Sequence, residues 1–115
     1  MTKLQVHVGG GFADVRRRVL DAAARHEQRE AVAESHITFE TWEALAAVMT
    51  AKRFEIVRHL HRHPEASIAS LARSLQRDYK RVHEDVEALA AAGLVERADG
   101  LLRAEYSEIR ASIAV

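Results

Sequence analysis

Apolar residues recur at helical spacing through the middle of this chain and alternate with polar residues near its two ends. The alternation over residues 4–8 predicts a short half-buried strand, which the glycines at 9–11 interrupt. A helix is expected next over residues 12–33, because Phe12, Val15 and Val19 recur on one face. Ile37 and Phe39 are expected in a short extended link to the second helix.

One helix is predicted before Thr50 and another after it. The first covers residues 41–49, with inward positions Trp42, Leu45 and Val48 or Met49. Thr50 is a predicted N-cap for the second, over 51–62, because its hydroxyl accepts from an unpaired N–H of the first turn. The apolar face of the second helix comprises Phe54, Ile56, Val57 and Leu60.

A short helix and a longer one follow in close succession. Ser67 is the predicted N-cap of the short helix, which runs to residue 75 with Ile68, Leu71, Ala72 and Leu75 buried. After Arg77 a longer helix runs to about residue 92, where Gly93 ends it. Its predicted apolar stripe is Tyr79, Val82, Val86 and Leu89. The very short turn between the two helices favours a steep crossing angle, as in helix-turn-helix motifs.

A β-hairpin is predicted after these helices. Asp99 and Gly100 favour a two-residue type I′ turn, because both central residues need positive φ. This turn pairs Glu96 with Arg103, which predicts a cross-strand ion pair. Residues 109–115 alternate again and suggest a closing strand.

The elements together predict an α+β fold, mainly α: a winged helix-turn-helix with an N-terminal strand–helix extension and a C-terminal strand. The expected division is 1–38 for dimerisation or partner binding, and 39–115 for the DNA-binding domain with its closing strand.

Charge is distributed unevenly, although the formal net charge of the 115 residues is zero. Residues 51–83 hold eight Lys/Arg and three Asp/Glu, a net charge of +5, whereas residues 84–115 have a net charge of −4. Local potential matters more for nucleic-acid binding than the total. The chain has no cysteine, which excludes disulfides and thiolate metal sites. The absence of an apolar segment at the first residues predicts a cytoplasmic protein.

The leading end of the long helix carries the candidate DNA-binding residues. Arg77, Lys80 and Arg81 lie in its first turns, with His83 nearby and Arg73 on the preceding helix. Their side chains donate to guanine or to phosphate. Arg97 in the hairpin is a candidate contact to a minor-groove phosphate. The alternative for all six is an ordinary solvated surface.

Other chemistries find less support in the sequence. Glu55, His59 and His63 share one helical stripe, but no cysteine or second histidine cluster completes a metal site. The glycines at 9–11 lack the Lys-Ser/Thr of a phosphate-binding loop. The arginines at 16–18 fit a solvated or interface surface, with DNA-backbone contact as the alternative. No catalytic arrangement stands out. We therefore expect no enzyme activity, no cofactor and no metal.

Residues 39–110 resemble the MarR/ArsR-type winged-helix regulators, and more narrowly the small DNA-binding antitoxins of TumE-type toxins. The resemblance lies in the run at 50–53, in Ser67, Leu71 and Asp85, and in the Gly-Leu-Val at 93–95. Ser70 departs from the group, which often has Glu there and thus a capping-box carboxylate. The resemblance implies a transcription regulator that represses an operon encoding a partner toxin.

The predicted function is sequence-specific binding of double-stranded DNA by a repressor, with the antitoxin role as its narrower form. A protein-binding winged-helix module and a metal-responsive repressor that uses His59 and His63 are the alternatives. The expected partners are duplex DNA, a second copy of the chain and a cognate toxin, but no membrane. A strand left unpaired at an edge invites pairing, so a homodimer through residues 1–35 and 105–115 is expected.

Overall fold

The computed structural model describes residues 2–9 and 33–115. Most of the helix expected over 12–33 lies outside these residues, as do the arginines at 16–18. The described chain is α+β and divides into two compact units. One takes its residues from 1–46 and 106–115, and the other comprises 47–105.

The first unit contains a three-stranded parallel sheet. Its strands are β1 (Thr2–Val8), β2 (Ala33–Phe39) and β5 (Glu108–Ile113), in the order β2-β1-β5. Val6 of β1 stands opposite Ile37 on one side and Ala111 on the other. Interior strands of parallel sheets are covered on both faces. Accordingly, the apolar residues of β1 and the neighbouring His7 are all buried.

Two expectations for this unit are wrong. The strand at 4–8 is not a lone edge strand, because β1 is paired on both sides within the chain. Ile37 and Phe39 lie in β2 rather than in an extended link. The expected division also placed the C-terminal strand with the helices, whereas β5 pairs with β1. The unpaired edge of the first strand therefore no longer supports dimerisation.

Four helices lie in the described part of the chain. They are α1 (Trp42–Val48), α2 (Ala51–Arg62), α3 (Ile68–Leu75) and α4 (Tyr79–Ala91). The predicted caps are confirmed, since the Thr50 hydroxyl accepts from the Arg53 N–H at 3.2 Å and the Ser67 hydroxyl from the Ser70 N–H at 3.0 Å. Within the described ranges, no helix combines the length and the apolar character needed to cross a membrane.

The core of the second unit is aliphatic. Its most deeply buried side chains are Ile56, Leu60, Leu71, Val82, Leu89 and Leu94. Three aromatic residues expected in apolar stripes are instead exposed: Trp42, Phe54 and Tyr79. Phe54 lies beneath the Arg58 guanidinium, which is 6.0 Å from the ring centroid. The periodic positions at the middle of each stripe are buried, and these three large side chains lie at or near helix starts.

The hairpin forms with the predicted turn and register. It joins β3 (Glu96–Ala98) to β4 (Leu101–Arg103), and Asp99 and Gly100 both have positive φ, at 54° and 76°. Glu96 stands opposite Arg103 as expected. The prediction of an ion pair between them is wrong, however, because Arg103 pairs with Asp99 instead, with Nη1 3.4 Å from Oδ2.

Candidate nucleic-acid interface

The turn between α3 and α4 is short because both helices are capped within it. Gln76 adopts the left-handed conformation, with φ 55° and ψ 47°, and its N–H bonds back to α3. Asp78 is extended and its carboxylate accepts from the Arg81 N–H at 3.2 Å. Only Gln76, Arg77 and Asp78 separate the two helices, so the first turn of α4 directly follows the end of α3.

The surface of α4 separates into a buried and an exposed side. Val82, Val86 and Leu89 are buried, which confirms three of the four positions predicted for the core stripe of this helix, whereas Tyr79 is exposed. Lys80 and Arg81 are exposed in its first turn. Glu84 and Glu87 are exposed further along. The positive charge of the helix surface therefore lies at its N-terminal end and the negative charge follows.

Four of the six predicted DNA-binding residues are exposed cations on three elements of the second unit. They are Arg73 on α3, Lys80 and Arg81 on α4, and Arg97 on β3. His83 is half-buried, and its Nε2 lies 3.7 Å from a carboxylate oxygen of Glu87. Its ring centroid is 5.9 Å from that of Tyr79. The structure thus joins His83 to two neighbours on its own helix.

Arg77 differs from the other candidates because its guanidinium is held inside the unit. Its Nη2 donates to Asp85 at 2.8 Å, and only 14% of the side chain is exposed. The second Asp85 oxygen accepts from Arg53 Nε at 3.0 Å. Arg53 also donates from Nη1 to the Ala47 carbonyl at 2.8 Å. Arg77 is therefore a member of an ion-pair cluster with Arg53 and Asp85 and does not lie among the exposed cations.

The cluster keeps Asp85 ionised. Burial alone would raise the pKa of this carboxyl, but hydrogen bonds from Arg77 and Arg53 outweigh burial and hold the pKa below its usual value. No local pattern in the sequence indicates this pairing, because Arg77 and Asp85 are eight residues apart and not at the i,i+4 spacing of a helical ion pair. The cluster links the first turn of α2, the α3–α4 turn and the middle of α4.

A second carboxylate belongs to Glu65, the residue whose backbone holds the hairpin. Glu65 lies between α2 and α3, and its backbone exchanges two hydrogen bonds with Leu102 of β4, at 3.1 and 2.7 Å. Its side chain accepts from the Ser70 hydroxyl at 2.6 Å and lies 2.8 Å from His59 Nε2. Hydrogen bonds from Ser70 and Ser74 lower the pKa of Glu65 to about 2. Ser70, the departure noted from the related group, thus has a partner of its own here.

His59 and His63, considered as metal ligands, and the neighbouring His61 make other contacts. His59 pairs with Glu65, and its ring centroid lies 5.6 Å from that of His63. His61 Nδ1 lies 2.8 Å from the Ala104 carbonyl oxygen. Across residues 2–9 and 33–115, no group of three or more His, Cys, Asp or Glu is arranged to hold a metal ion. His59 and His61 therefore act as hydrogen-bond partners within the fold, and His63 contacts the ring of His59.

Comparison with known proteins gives one family. The model of the HVO_A0114 family matches residues 48–111, which is more than half of the 115 residues. The matched region contains α2, α3, α4 and the hairpin. No match was found among curated proteins or among solved structures.

Proposed function

We propose that this chain, which belongs to the HVO_A0114 family, is a sequence-specific DNA-binding regulator of transcription that reads duplex DNA with the leading end of α4. The observation that carries the proposal is the exposure of Lys80 and Arg81 in the first turn of a helix whose opposite side is core. Side chains at the leading end of such a helix reach base edges in the major groove. Lysine and arginine donate there to guanine or to phosphate.

The proposed fold of the second unit is a winged helix-turn-helix. In this assignment α3 and α4 form the helix-turn-helix and the β3–β4 hairpin is the wing. The three-residue turn between the helices supports the assignment, and so does the bridge from Glu65 to Leu102, which ties the hairpin to the segment before α3. Arg97, exposed on the hairpin, is then placed to contact phosphate.

The charge pattern of α4 supports one orientation on DNA. Glu84 and Glu87 are exposed beyond the first turn, and phosphates repel carboxylates at close range. The leading end of α4 therefore enters the groove and the later turns lie away from the backbone. Arg73, exposed on α3, adds a phosphate contact beside the leading end.

The finer proposal is a repressor that acts as a homodimer and binds a cognate toxin. The four exposed candidate cations are few for one DNA site, and two-fold operators supply a second half-site about 34–36 Å away. The β1 strand does not supply the interface, because both of its edges are occupied. Sedimentation of the full chain across a concentration series tests the dimer, and a single monomeric species would remove it.

The experiment for DNA binding compares two double variants of the full chain. Lys80→Ala with Arg81→Ala removes both cations from the leading end, and Glu84→Gln with Glu87→Gln removes two charges from the same helix. Fluorescence anisotropy with duplex selected from a random-sequence pool should show at least a tenfold loss for the first, because each base contact is worth about 1–3 kcal/mol. The second should bind at least as tightly as the wild type.

The salt dependence of binding adds a second measurement. The logarithm of the binding constant should fall with the logarithm of salt concentration, by about 0.9 per phosphate neutralised. The slope should be shallower for the Lys80→Ala, Arg81→Ala variant. Unchanged affinity in that variant would remove α4 as the reading element. The absence of salt-dependent binding by the wild type would favour the protein-binding module instead.

A further inference from the structure

Tyr79 lies on the proposed DNA-facing part of α4, although its spacing suggests a core position. It is the first residue of the helix and 53% of its surface is exposed. At 100° per residue, Tyr79 and His83 follow one border of the exposed surface, Arg81 lies on the opposite border, and Lys80 lies between them. The leading end of α4 therefore presents one aromatic ring beside two cations.

The ring of Tyr79 is supported from its own helix. Its centroid lies 5.9 Å from the His83 ring, with the two planes tilted by 40°. His83 is in turn within 3.7 Å of a Glu87 carboxylate oxygen. Aromatic pairs prefer such offset or tilted arrangements, and a supported ring loses little side-chain entropy when a ligand contacts it. Tyr79 thus offers a flat apolar surface that is already oriented.

We propose that Tyr79 is a specificity-determining residue whose ring packs on the 5-methyl group of a thymine in each DNA half-site. Thymine alone presents a methyl group in the major groove, and apolar side chains recognise it by contact. Lys80 and Arg81 cannot make this distinction, because they donate hydrogen bonds. The inference rests on the proposed function of α4 and adds the base type that its aromatic border reads.

The test removes the methyl group from the DNA and the ring from the protein, separately and together. In the selected duplex, each thymine is replaced in turn by deoxyuridine, which lacks only the 5-methyl group. The wild-type chain should bind about fourfold more weakly when deoxyuridine replaces one particular thymine in a half-site. This is the effect expected from burying about one methyl or methylene group. Tyr79→Ala should weaken binding to the unmodified duplex and show no further loss at that position.

Two matched variants define the contact. Tyr79→Phe keeps the ring, so this variant should still lose affinity when deoxyuridine replaces the same thymine. Phe54→Ala removes an exposed aromatic ring from α2, outside the proposed interface, and should behave as the wild type. Because Tyr79 is exposed, thermal unfolding of Tyr79→Ala should be nearly that of the wild type.

The remaining outcomes contradict the inference. If Tyr79→Ala retains the wild-type sensitivity to deoxyuridine, or if Tyr79→Phe weakens binding as much as Tyr79→Ala, the ring does not read a thymine methyl. In either case the chain still binds DNA and the proposed function stands. If no duplex is enriched from the pool, the proposed function itself fails and the inference fails with it.

Discussion

The junction of α3 with α4 and the junction of α2 with α3 are each held by one carboxylate, but the two carboxylates are stabilised in different ways. Asp85 accepts from two guanidiniums, those of Arg77 and Arg53. Glu65 accepts mainly from serine hydroxyls, with His59 as a third neighbour. Both carboxyl groups have lowered pKa values, so both are ionised at neutral pH.

The difference affects how much positive charge remains for DNA. The cluster at Asp85 binds two of the eight Lys/Arg of residues 51–83 to an internal partner, whereas Glu65 uses neutral hydroxyls and leaves the cations on the surface. A count of charges along the sequence therefore overstates the charge available to a ligand. The location of each carboxylate decides which arginines are exposed.

The largest expected effect is at Asp85. Asp85→Asn leaves two partly buried guanidiniums without a charged partner, and removing one member of such a pair costs about 3 kcal/mol or more. Urea denaturation should show this loss in the free energy of unfolding. Glu84→Gln on the same helix is the matched control, and it should remain within about 0.5 kcal/mol of the wild type because Glu84 is exposed.

Because Arg77 is paired with Asp85, it should contribute less to the salt dependence of DNA binding than the exposed cations do. Arg77→Gln should leave the slope of the salt dependence unchanged, because the Arg77 guanidinium faces Asp85 and neutralises no phosphate. If the slope becomes shallower by about 0.9, Arg77 contacts phosphate and the distinction between the two groups of arginines is wrong.

An intermediate effect is expected at Glu65, and it depends on pH. The pKa of Glu65 in the folded state is about 2, below its usual value of 4.5, so the stabilisation is complete above about pH 4.5 and is lost as the pH falls toward 2. Glu65→Gln should therefore cost about 1–2 kcal/mol at pH 7. The difference in the free energy of unfolding between this variant and the wild type should shrink steadily below pH 4.5.

Denaturation of both proteins from pH 7 to pH 2.5 measures this difference. Glu105→Gln, at an exposed position near the hairpin in sequence, is the control and should show no such trend. A difference that stays equal at all pH values would mean that the ionised carboxylate of Glu65 is not the source of the stabilisation.

The smallest effect is expected at the tip of the hairpin. Arg103 and Asp99 form an exposed pair at 3.4 Å, and such pairs contribute about 0–1 kcal/mol. Arg103→Gln should change the free energy of unfolding by less than about 0.5 kcal/mol. A loss above about 1 kcal/mol would contradict this expectation. Burial would then not explain why the contacts of Asp85 and Glu65 contribute more to the free energy of unfolding than this exposed pair.

Local signals in the sequence predicted the helices and the turn well. Thr50 and Ser67 cap the helices as expected, because a hydroxyl before an apolar period is recognisable without tertiary information. Asp99 and Gly100 form the expected turn for the same reason. The alternation through Ile37 and Phe39 was a usable signal for β2, although parallel pairing with β1 depends on residues far apart in the chain.

The candidate site was predicted less completely. Lys80 and Arg81 are exposed as expected, but Arg77 is not, because its partner Asp85 is recognisable only after the turn is folded. The spacing of Tyr79 predicts a core position although the residue is exposed, because a periodic stripe does not indicate where burial stops. The role of Glu65 was missed since its serine partners and Leu102 come from different elements.

The parallel sheet has a consequence for the order of folding. Val8 pairs with Ile113 although all residues of the second unit lie between them in the sequence, whereas contacts within the second unit, such as Glu65 with Leu102, join residues that are nearer in sequence. Closing a long loop costs more entropy than closing a short one, and contacts between distant residues form slowly. We therefore expect the helices and hairpin to reach their protected state first in pulsed hydrogen exchange. The amides that join β5 to β1 should become protected last.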